Sequence, residues 1–421
     1  MSFKRINNIT GWVVCIIACA VYIMTMEATG SLWDCGEFAS SAYKLQIPHP
    51  PGAPLFALIG RLFMAPFDAH HAATGINLMS ALASGFTILF LFWSITHFGR
   101  KIVTKGGAEL TNEKIFGVMA AGVVGALAYT FSDSFWYSAV EGEVYAMSSF
   151  FTAIVFWAIL KWEQNVSEEE EQGIKGHFTS ADRWIILLFF LIGLGVGVHL
   201  LMILTIPAIV MIYYYKRYTV TNWGAFWAFV IGCAVTGFVQ KAVIQWTIKG
   251  AGNFDIFFVN SLGLPFFFGF AFYFILIAAF IFVGLRFRQQ NLSKVKFGIW
   301  LFLFLAVLIY PTGVEGIGLK IVIKLALLIA GILLVNKNIL PRIKLFLWCF
   351  AFMVMGCFSS YFTTMVRSNA DPSVDMYNVD NPVNLVGYLS REQIWRLAYF
   401  IRPGFYSTAY RYQGYGNVYK K

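Results

Sequence analysis

The chain has 421 residues, of which 59% are hydrophobic and only 12% are charged. Soluble domains carry roughly 25% charged residues, so this composition excludes an ordinary soluble protein and indicates a polytopic membrane protein. The net charge of +10 does not indicate a nucleic-acid partner, because the cations lie in short loops between apolar segments, as membrane insertion requires. The six cysteines show neither metal-ligand spacing nor a disulfide framework.

The apolar segments predict an all-α bundle of about eleven transmembrane helices, since a span needs about 20 residues and only helices can face lipid without unpaired backbone groups. In chain order, the predicted spans lie near residues 10–27, 74–97, 115–131, 137–161, 183–197, 200–214, 222–245, 263–286, 294–311, 317–336 and 341–364. Residues 183–214 are too long for one crossing and are interrupted near Gly197 and His199, which predicts two helices joined by a tight turn. The first span follows Lys4 and Arg5 and is predicted to be an uncleaved anchor.

The distribution of Lys and Arg predicts the orientation in the membrane. With a cytoplasmic N-terminus, most cations fall in cytoplasmic segments, Arg100 and Lys101 among them. Only Lys44, Arg61 and Lys249 fall in the opposite loops before the C-terminal tail. By the positive-inside rule, we expect the N-terminus in the cytoplasm and the tail outside.

The first outer loop contains the stretch around which the candidate chemistry is grouped, WDCGEFASSAYKLQIPHPPGAPLF. Two short surface helices are predicted in it, at Phe38–Leu45 and Leu55–Met64. The prolines between them interrupt a helix and predict a rigid elbow that holds His49 in a defined place.

Asp34 and Glu37 are the predicted catalytic residues. They are three positions apart, so on a helix they share one face. One carboxylate can accept a proton from a nucleophile while the other tunes it, because neighbouring like charges push their pKa values apart. A structural alternative stays open, in which Asp34 caps the helix and Glu37 is its capping-box partner.

A second acidic cluster, VEGEVYAM, opens the fourth predicted span. Glu141 and Glu143 would face different sides of a helix, so at most one should point toward the cavity of Asp34. We favour Glu143, with Tyr145 beside it, and keep Glu141 as a second candidate for substrate binding.

Two further substrate-binding candidates lie on the predicted outer face. His199 is placed at the outer turn, where it could bind a phosphate or a substrate hydroxyl, or serve only as a structural donor. Asp133 is placed on the same face. Gly193, Gly195 and Gly197 superficially match a dinucleotide loop, but no strand precedes them, so close helix packing is the better interpretation.

Four motifs, in this order, resemble the bacterial protein O-mannosyltransferase-like family, which is related to an animal transmembrane O-mannosyltransferase. They are WDCGEF, HPPGAPLF, VEGEVYA and GVHLLMILTIPA. The family usually has a G-D-S-G-E-type motif where this chain has W-D-C-G-E, and A-H-P-P-G-Y-P-L-F where it has P-H-P-P-G-A-P-L-F. These departures leave Asp34 and Glu37 in place, and the later spans are similar mainly in hydropathy.

The resemblance implies a glycosyltransferase superfamily C fold, with a polyprenyl-phosphate sugar as donor and an exported protein as acceptor. Asp34 would activate the acceptor hydroxyl with Glu37 nearby, while His49 and Glu143 would line the donor or acceptor site. Inversion at the sugar carbon with phosphate as leaving group needs one base and no obligatory metal, and a divalent metal is left open. Membrane lipid is the remaining expected partner.

The C-terminal tail departs from the resembled family. Residues 375–393 are similar to the family's hinge into an outer soluble region, but Ile394 to Gln413 differ from its usual continuation, Y-G-D-W-P-I-L-Y-G-Q. We therefore expect a C-terminally truncated or frameshifted member, with a transmembrane domain at 1–365 and a short periplasmic tail at 366–421.

The leading hypothesis is an integral membrane glycosyltransferase of the bacterial inner membrane. It would move a sugar, expected to be mannose-like, to a protein hydroxyl on the periplasmic side. The first alternative is a transporter or flippase of lipid-linked or small anionic substrates, for which inverted repeats and discontinuous helices at the bilayer midplane are expected. The second alternative is an inactive membrane scaffold.

Overall fold

A computed structural model describes residues 2–174, 179–288, 292–308 and 340–391. Within those ranges the chain is all-α, as predicted, apart from an isolated bridge between Ile47 and Asp375. The first helices are α1 Phe3–Thr25, α2 Cys35–Lys44, α3 Pro54–Met64, α4 Ala72–Val103, α5 Asn112–Thr130, α6 Asp133–Val140 and α7 Val144–Glu171. They are followed by α8 Arg183–Val196, α9 Ile206–Arg217, α10 Asn222–Phe238, α11 Thr247–Leu262, α12 Phe268–Arg286, α13 Lys294–Leu308, α14 Leu340–Ser368 and α15 Pro382–Leu389.

Eight helical segments in the described part of the chain are long and apolar enough to cross a membrane. This confirms a multi-pass membrane protein but not the predicted count of spans. The predicted spans at 183–197 and 294–311 are helical, but α8 and α13 have only 14 and 15 residues. The predicted span at 317–336 lies outside the described residues.

Two predicted boundaries are wrong. The span placed at 137–161 is broken, because the chain is extended at Glu141 and Glu143 and α7 begins only after them. The helix placed at 222–245 continues without a break through a π-helical segment to Leu262, over 41 residues. At 1.5 Å per residue this path is roughly 60 Å long, about twice the hydrocarbon core, so Lys249 lies within α11 and not in a loop.

The interruption between α8 and α9 is as predicted. His199 is extended and the short 3-10 segment Leu200–Thr205 leads into α9. The glycines before it serve helix packing, because a Cβ on Gly193 would lie 2.3 Å from the backbone oxygen of Met353 in α14. Small residues allow this close approach of two helix backbones.

Contacts between helix termini define the two ends of the bundle. At one end, His97 and Lys101 of α4 both pair with Glu163 of α7. At the other end, α2 and α3 lie together beside the end of α14, where Arg367 Nε donates to the backbone oxygen of Leu45 at 2.7 Å. The candidate site lies at this second end.

Candidate active site

The start of α2 presents Asp34. Its backbone oxygen accepts the amide hydrogen of Phe38 at 2.9 Å, while its side chain makes no capping hydrogen bond and is 56% exposed. Trp33 has a φ of 61°, in the left-handed region that glycine adopts without strain. This is the position at which the resembled family usually has glycine.

Glu37 is bonded to His49 and not to the backbone at the start of α2, so the capping-box alternative is wrong. One Glu37 oxygen accepts the backbone N–H of His49 at 2.7 Å, and the other lies 2.9 Å from His49 Nδ1. An ionised Glu37 requires the proton on Nδ1. His49 Nε2 then faces Asp34, whose carboxylate oxygen is 4.0 Å away, beyond hydrogen-bond distance.

The proline elbow between α2 and α3 holds His49, as predicted, and hydrogen bonds from Tyr388 and Gly52 fix the elbow in place. Tyr388 of α15 donates from its hydroxyl to the backbone oxygen of Pro48 at 2.7 Å. Gly52 closes the elbow by donating its N–H to the His49 oxygen at 2.8 Å. Its φ is +63°, and a Cβ there would lie 2.2 Å from the Tyr388 hydroxyl oxygen, so this turn requires glycine. The elbow contains a cis peptide bond between Pro50 and Pro51.

Glu143 is buried at the start of α7 and accepts the backbone N–H of Val144 at 3.2 Å. The buried thiol of Cys35 donates to its other oxygen at 3.7 Å. Burial, followed by the negative charges of Asp34 and Glu141, raises the pKa of the Glu143 carboxyl. Burial and the nearby Glu143 and Glu141 carboxylates raise the pKa of Cys35 to about 12, so this thiol stays protonated and donates.

His199 lies beside Tyr145, with ring centroids 5.4 Å apart. Its Nδ1 accepts the backbone N–H of Leu201 at 3.2 Å. Burial, together with the positive charge of Arg391, lowers the pKa of His199. The ring is therefore neutral near pH 7, with the proton on Nε2, which leaves one N–H donor for a phosphate or hydroxyl oxygen.

A cavity of about 180 Å³ brings most of the predicted site residues together. The titratable and aromatic polar side chains in its wall are Asp34, His49, Glu143, Tyr145, His199 and Arg391. Glu37 lies behind His49. The structure does not bring Glu141 or Asp133 into this wall: Glu141 lies in the extended link before α7, where burial and then Glu27 raise its pKa, and Asp133 is exposed at the start of α6.

Arg391 is the site residue that sequence reasoning missed. It follows α15, with a φ of 54°, and its Nε is buried without a hydrogen-bond partner among the described residues. A non-glycine residue in the left-handed region is a functional candidate when it lies in a site. No sequence signal pointed to it, because Arg391 lies in the C-terminal tail, which the count of cations in the outer loops did not include.

Asp34, Glu37 and His49 are the described residues that could hold a metal ion, since one ligand atom of each lies within 4.8 Å of the others. Two carboxylates and an imidazole suit several divalent metals. The Glu37–His49 hydrogen bond accounts for part of this arrangement without an ion.

Comparison with known proteins gives a match to a family model and to curated relatives. A model of the family described as "Protein O-mannosyl-transferase TMEM260 N-terminal domain" matches residues 34–222. The chain is 26% identical over 204 residues to "Protein O-mannosyl-transferase tmem260" of Dictyostelium discoideum, covering 46% of this chain and 22% of the relative. It is 25% identical over 155 residues to "Protein O-mannosyl-transferase TMEM260" of Mus musculus, covering 37% of this chain and 20% of the relative.

Residues 34–222 of this chain are thus similar to protein O-mannosyl-transferases. The chain spans about a fifth of the length of the curated relatives it matches, and no solved structure matches it. The segment that matches the family model begins at Asp34 and contains His49, Glu143 and His199. Arg391 lies beyond it, so its place in the site comes from the tertiary structure.

Replacing Glu143 by glutamine is expected to stabilise the protein at about pH 8 and to have little effect at about pH 4. Because the folded-state pKa is raised, the native state binds this proton more tightly than the unfolded state does. The stability that the protonated carboxyl contributes is present at low pH and is lost as the pH rises through the folded-state pKa. Glutamine removes the charge and keeps one oxygen, which can accept the Val144 N–H, while its NH₂ group would face the Cys35 sulfur, a weak acceptor.

The measurement is the thermal unfolding midpoint in detergent at both pH values. Glu171→Gln is the matched control, since Glu171 is exposed at the other end of α7. An equal gain for Glu143→Gln at both pH values would contradict the assignment of the effect to ionisation.

Proposed function

We propose that this chain is an integral membrane glycosyltransferase of the bacterial inner membrane. It transfers a mannose-like sugar from a polyprenyl phosphate to a hydroxyl group of an exported protein on the periplasmic side. The printed names of the relatives support protein O-mannosyl transfer. The single observation that carries the proposal is that a carboxylate, Asp34, and a guanidinium, Arg391, line one cavity at one end of the bundle.

In the proposed reaction, Asp34 accepts the proton of the acceptor hydroxyl as its oxygen attacks the anomeric carbon of the sugar. The new carbon–oxygen bond forms on the face opposite the phosphate, and the bond to the phosphate oxygen breaks. The polyprenyl phosphate leaves with that electron pair. Arg391 donates to the phosphate of the bound donor and keeps this contact as the phosphate leaves, so that it contributes mainly to donor binding.

The remaining side chains position these groups. Glu37 fixes the ring of His49, and His49 Nε2 faces Asp34 and can take up or relay the transferred proton. Tyr145 and the neutral His199 offer donors to sugar or phosphate oxygens, and Glu143 accepts from a sugar hydroxyl when ionised. We propose no obligatory metal, because a base and a phosphate leaving group suffice for the step.

The test is a transfer assay with the purified full chain in proteoliposomes. Polyprenyl-phosphate mannose labelled in the sugar is supplied with an exported protein as acceptor, and the alkali-released label on the protein is counted. Label on serine or threonine is the expected result. Movement of the labelled lipid between leaflets without any transfer would instead support the transporter or flippase alternative. The absence of both sugar transfer and lipid movement would support the scaffold alternative.

A further inference from the structure

A second, larger cavity of about 640 Å³ lies at the opposite end of the bundle. Four helices each contribute one cation to its wall, namely Lys4 of α1, Arg100 of α4, Lys161 of α7 and Arg183 of α8. We call it the cationic pocket. Lys161 is 18 positions beyond Glu143, which places the pocket roughly 27 Å from the candidate active site along α7 at 1.5 Å per residue.

The four cations have no carboxylate within ion-pair distance among the described residues, although other charges at this end are paired. Lys161 instead lies over the ring of Trp157, with Nζ 5.5 Å from its centroid, and Arg100 lies over Phe3 at 5.2 Å. Glu168 is the one carboxylate in the wall. The pocket therefore has an excess of positive charge that the described protein does not neutralise.

Four tryptophan side chains also line the wall. Trp93 and Trp157 pack at a centroid distance of 5.7 Å, and Trp157 meets Trp184 edge-on at 5.7 Å. Trp12 meets Trp93 edge-on at 6.3 Å. Indoles are enriched where a membrane protein passes through the headgroup region, since their bodies are apolar and their N–H groups are polar.

Three polar atoms of the residues in this wall lack a hydrogen-bond partner. They are the Oδ1 acceptor of Asn7 and the Nε1 donors of Trp93 and Trp184, all buried without a partner in the part of the chain that the structure describes. Leaving such groups unpaired costs free energy. A ligand that carries both oxygen acceptors and a hydroxyl donor has the chemistry that these three atoms require.

We infer that the cationic pocket binds the headgroup of an anionic phospholipid of the phosphatidylglycerol type. The phosphate meets the unpaired cations, the glycerol hydroxyls meet Asn7, and the indoles cover the start of the acyl chains. Basic pockets between transmembrane helices bind such headgroups. This site is independent of the proposed sugar transfer, because it shares no residue with the Asp34 cavity.

Native mass spectrometry of the full chain in neutral detergent tests the inference. The chain is titrated with phosphatidylglycerol, with phosphatidylcholine and with inorganic phosphate. We expect phosphatidylglycerol to bind at least tenfold more tightly than phosphatidylcholine. Lys161→Gln and Arg183→Gln should each weaken phosphatidylglycerol binding roughly fivefold, the contribution of one cation at a lipid surface.

Lys105→Gln is the matched control, since Lys105 is exposed on the same side of the bundle and lies outside the pocket wall. Arg183 is itself exposed, so its variant tests the pocket even if Lys161→Gln fails to fold. Equal affinity for the two lipids, displacement of phosphatidylglycerol by an equal concentration of inorganic phosphate, or an unchanged affinity in both pocket variants would overturn the inference. Sugar transfer is not part of this readout, so its failure would leave the result interpretable.

Discussion

Asp34→Asn is expected to lower the rate of sugar transfer by roughly 10²- to 10⁴-fold, the usual contribution of a general base. Asparagine keeps the size of the side chain but cannot accept the hydroxyl proton. Asp34 does not cap α2 through its side chain, so the fold should be unaffected. The measurement is the initial rate of transfer in proteoliposomes over a range of donor concentrations, where kcat should fall and the donor KM should change little.

Asp68→Asn is the matched control for this variant. Asp68 also faces a histidine, with its oxygen 2.7 Å from His71 Nδ1, and it is exposed in the loop between α3 and α4. It reproduces an aspartate–histidine pair outside the cavity wall. Undiminished transfer in Asp34→Asn, or an equal loss in both variants, would remove Asp34 from catalysis.

Arg391→Gln is expected to raise the KM for the polyprenyl-phosphate donor by roughly 10- to 100-fold. A hydrogen bond to a charged group contributes about 1.5–3 kcal/mol, which corresponds to this range of affinity. The Arg391 Nε lacks a partner among the described residues, so the donor phosphate would be the group it binds. Arg391→Lys keeps the charge and should recover part of the affinity, whereas a merely structural arginine would gain nothing from lysine.

Lys44→Gln is the control for Arg391. Lys44 is an exposed cation at the end of α2, at the same end of the bundle, and it lies outside the cavity wall. If the donor KM rises equally in both variants, the effect comes from the general positive potential and not from a phosphate contact at Arg391.

The first outer loop was predicted in most of its detail. Proline restricts its own backbone and that of the residue before it, so local chemistry alone places an elbow between two short helices, α2 and α3. The glycines of α8 were likewise interpretable, because a sequence of small residues on an apolar helix has few structural uses besides close packing. The sequence also placed His199 and Glu143 at the same end of the bundle as Asp34, because the count of spans and charges put all three on the outer face.

The partner of Glu37 could not be predicted. On a helix, Asp34 and Glu37 share a face, which made them direct partners in the sequence interpretation. In the structure the elbow returns His49 between them, and Glu37 bonds to His49. The direction of the Glu143 side chain could not be derived from helix faces either, because the backbone before α7 is extended and not helical.

The amino-acid sequence by itself determined the fold class, the membrane spans of sufficient length and the motifs that resemble an O-mannosyltransferase family. These depend on hydropathy and local backbone preferences, which act over a few turns of helix. The tertiary structure alone decided that Tyr388 clamps the elbow and that Arg391 enters the wall of the Asp34 cavity. Those contacts join positions more than 300 residues apart in the sequence. Local backbone preferences do not act over such separations, so these contacts form only when the bundle folds.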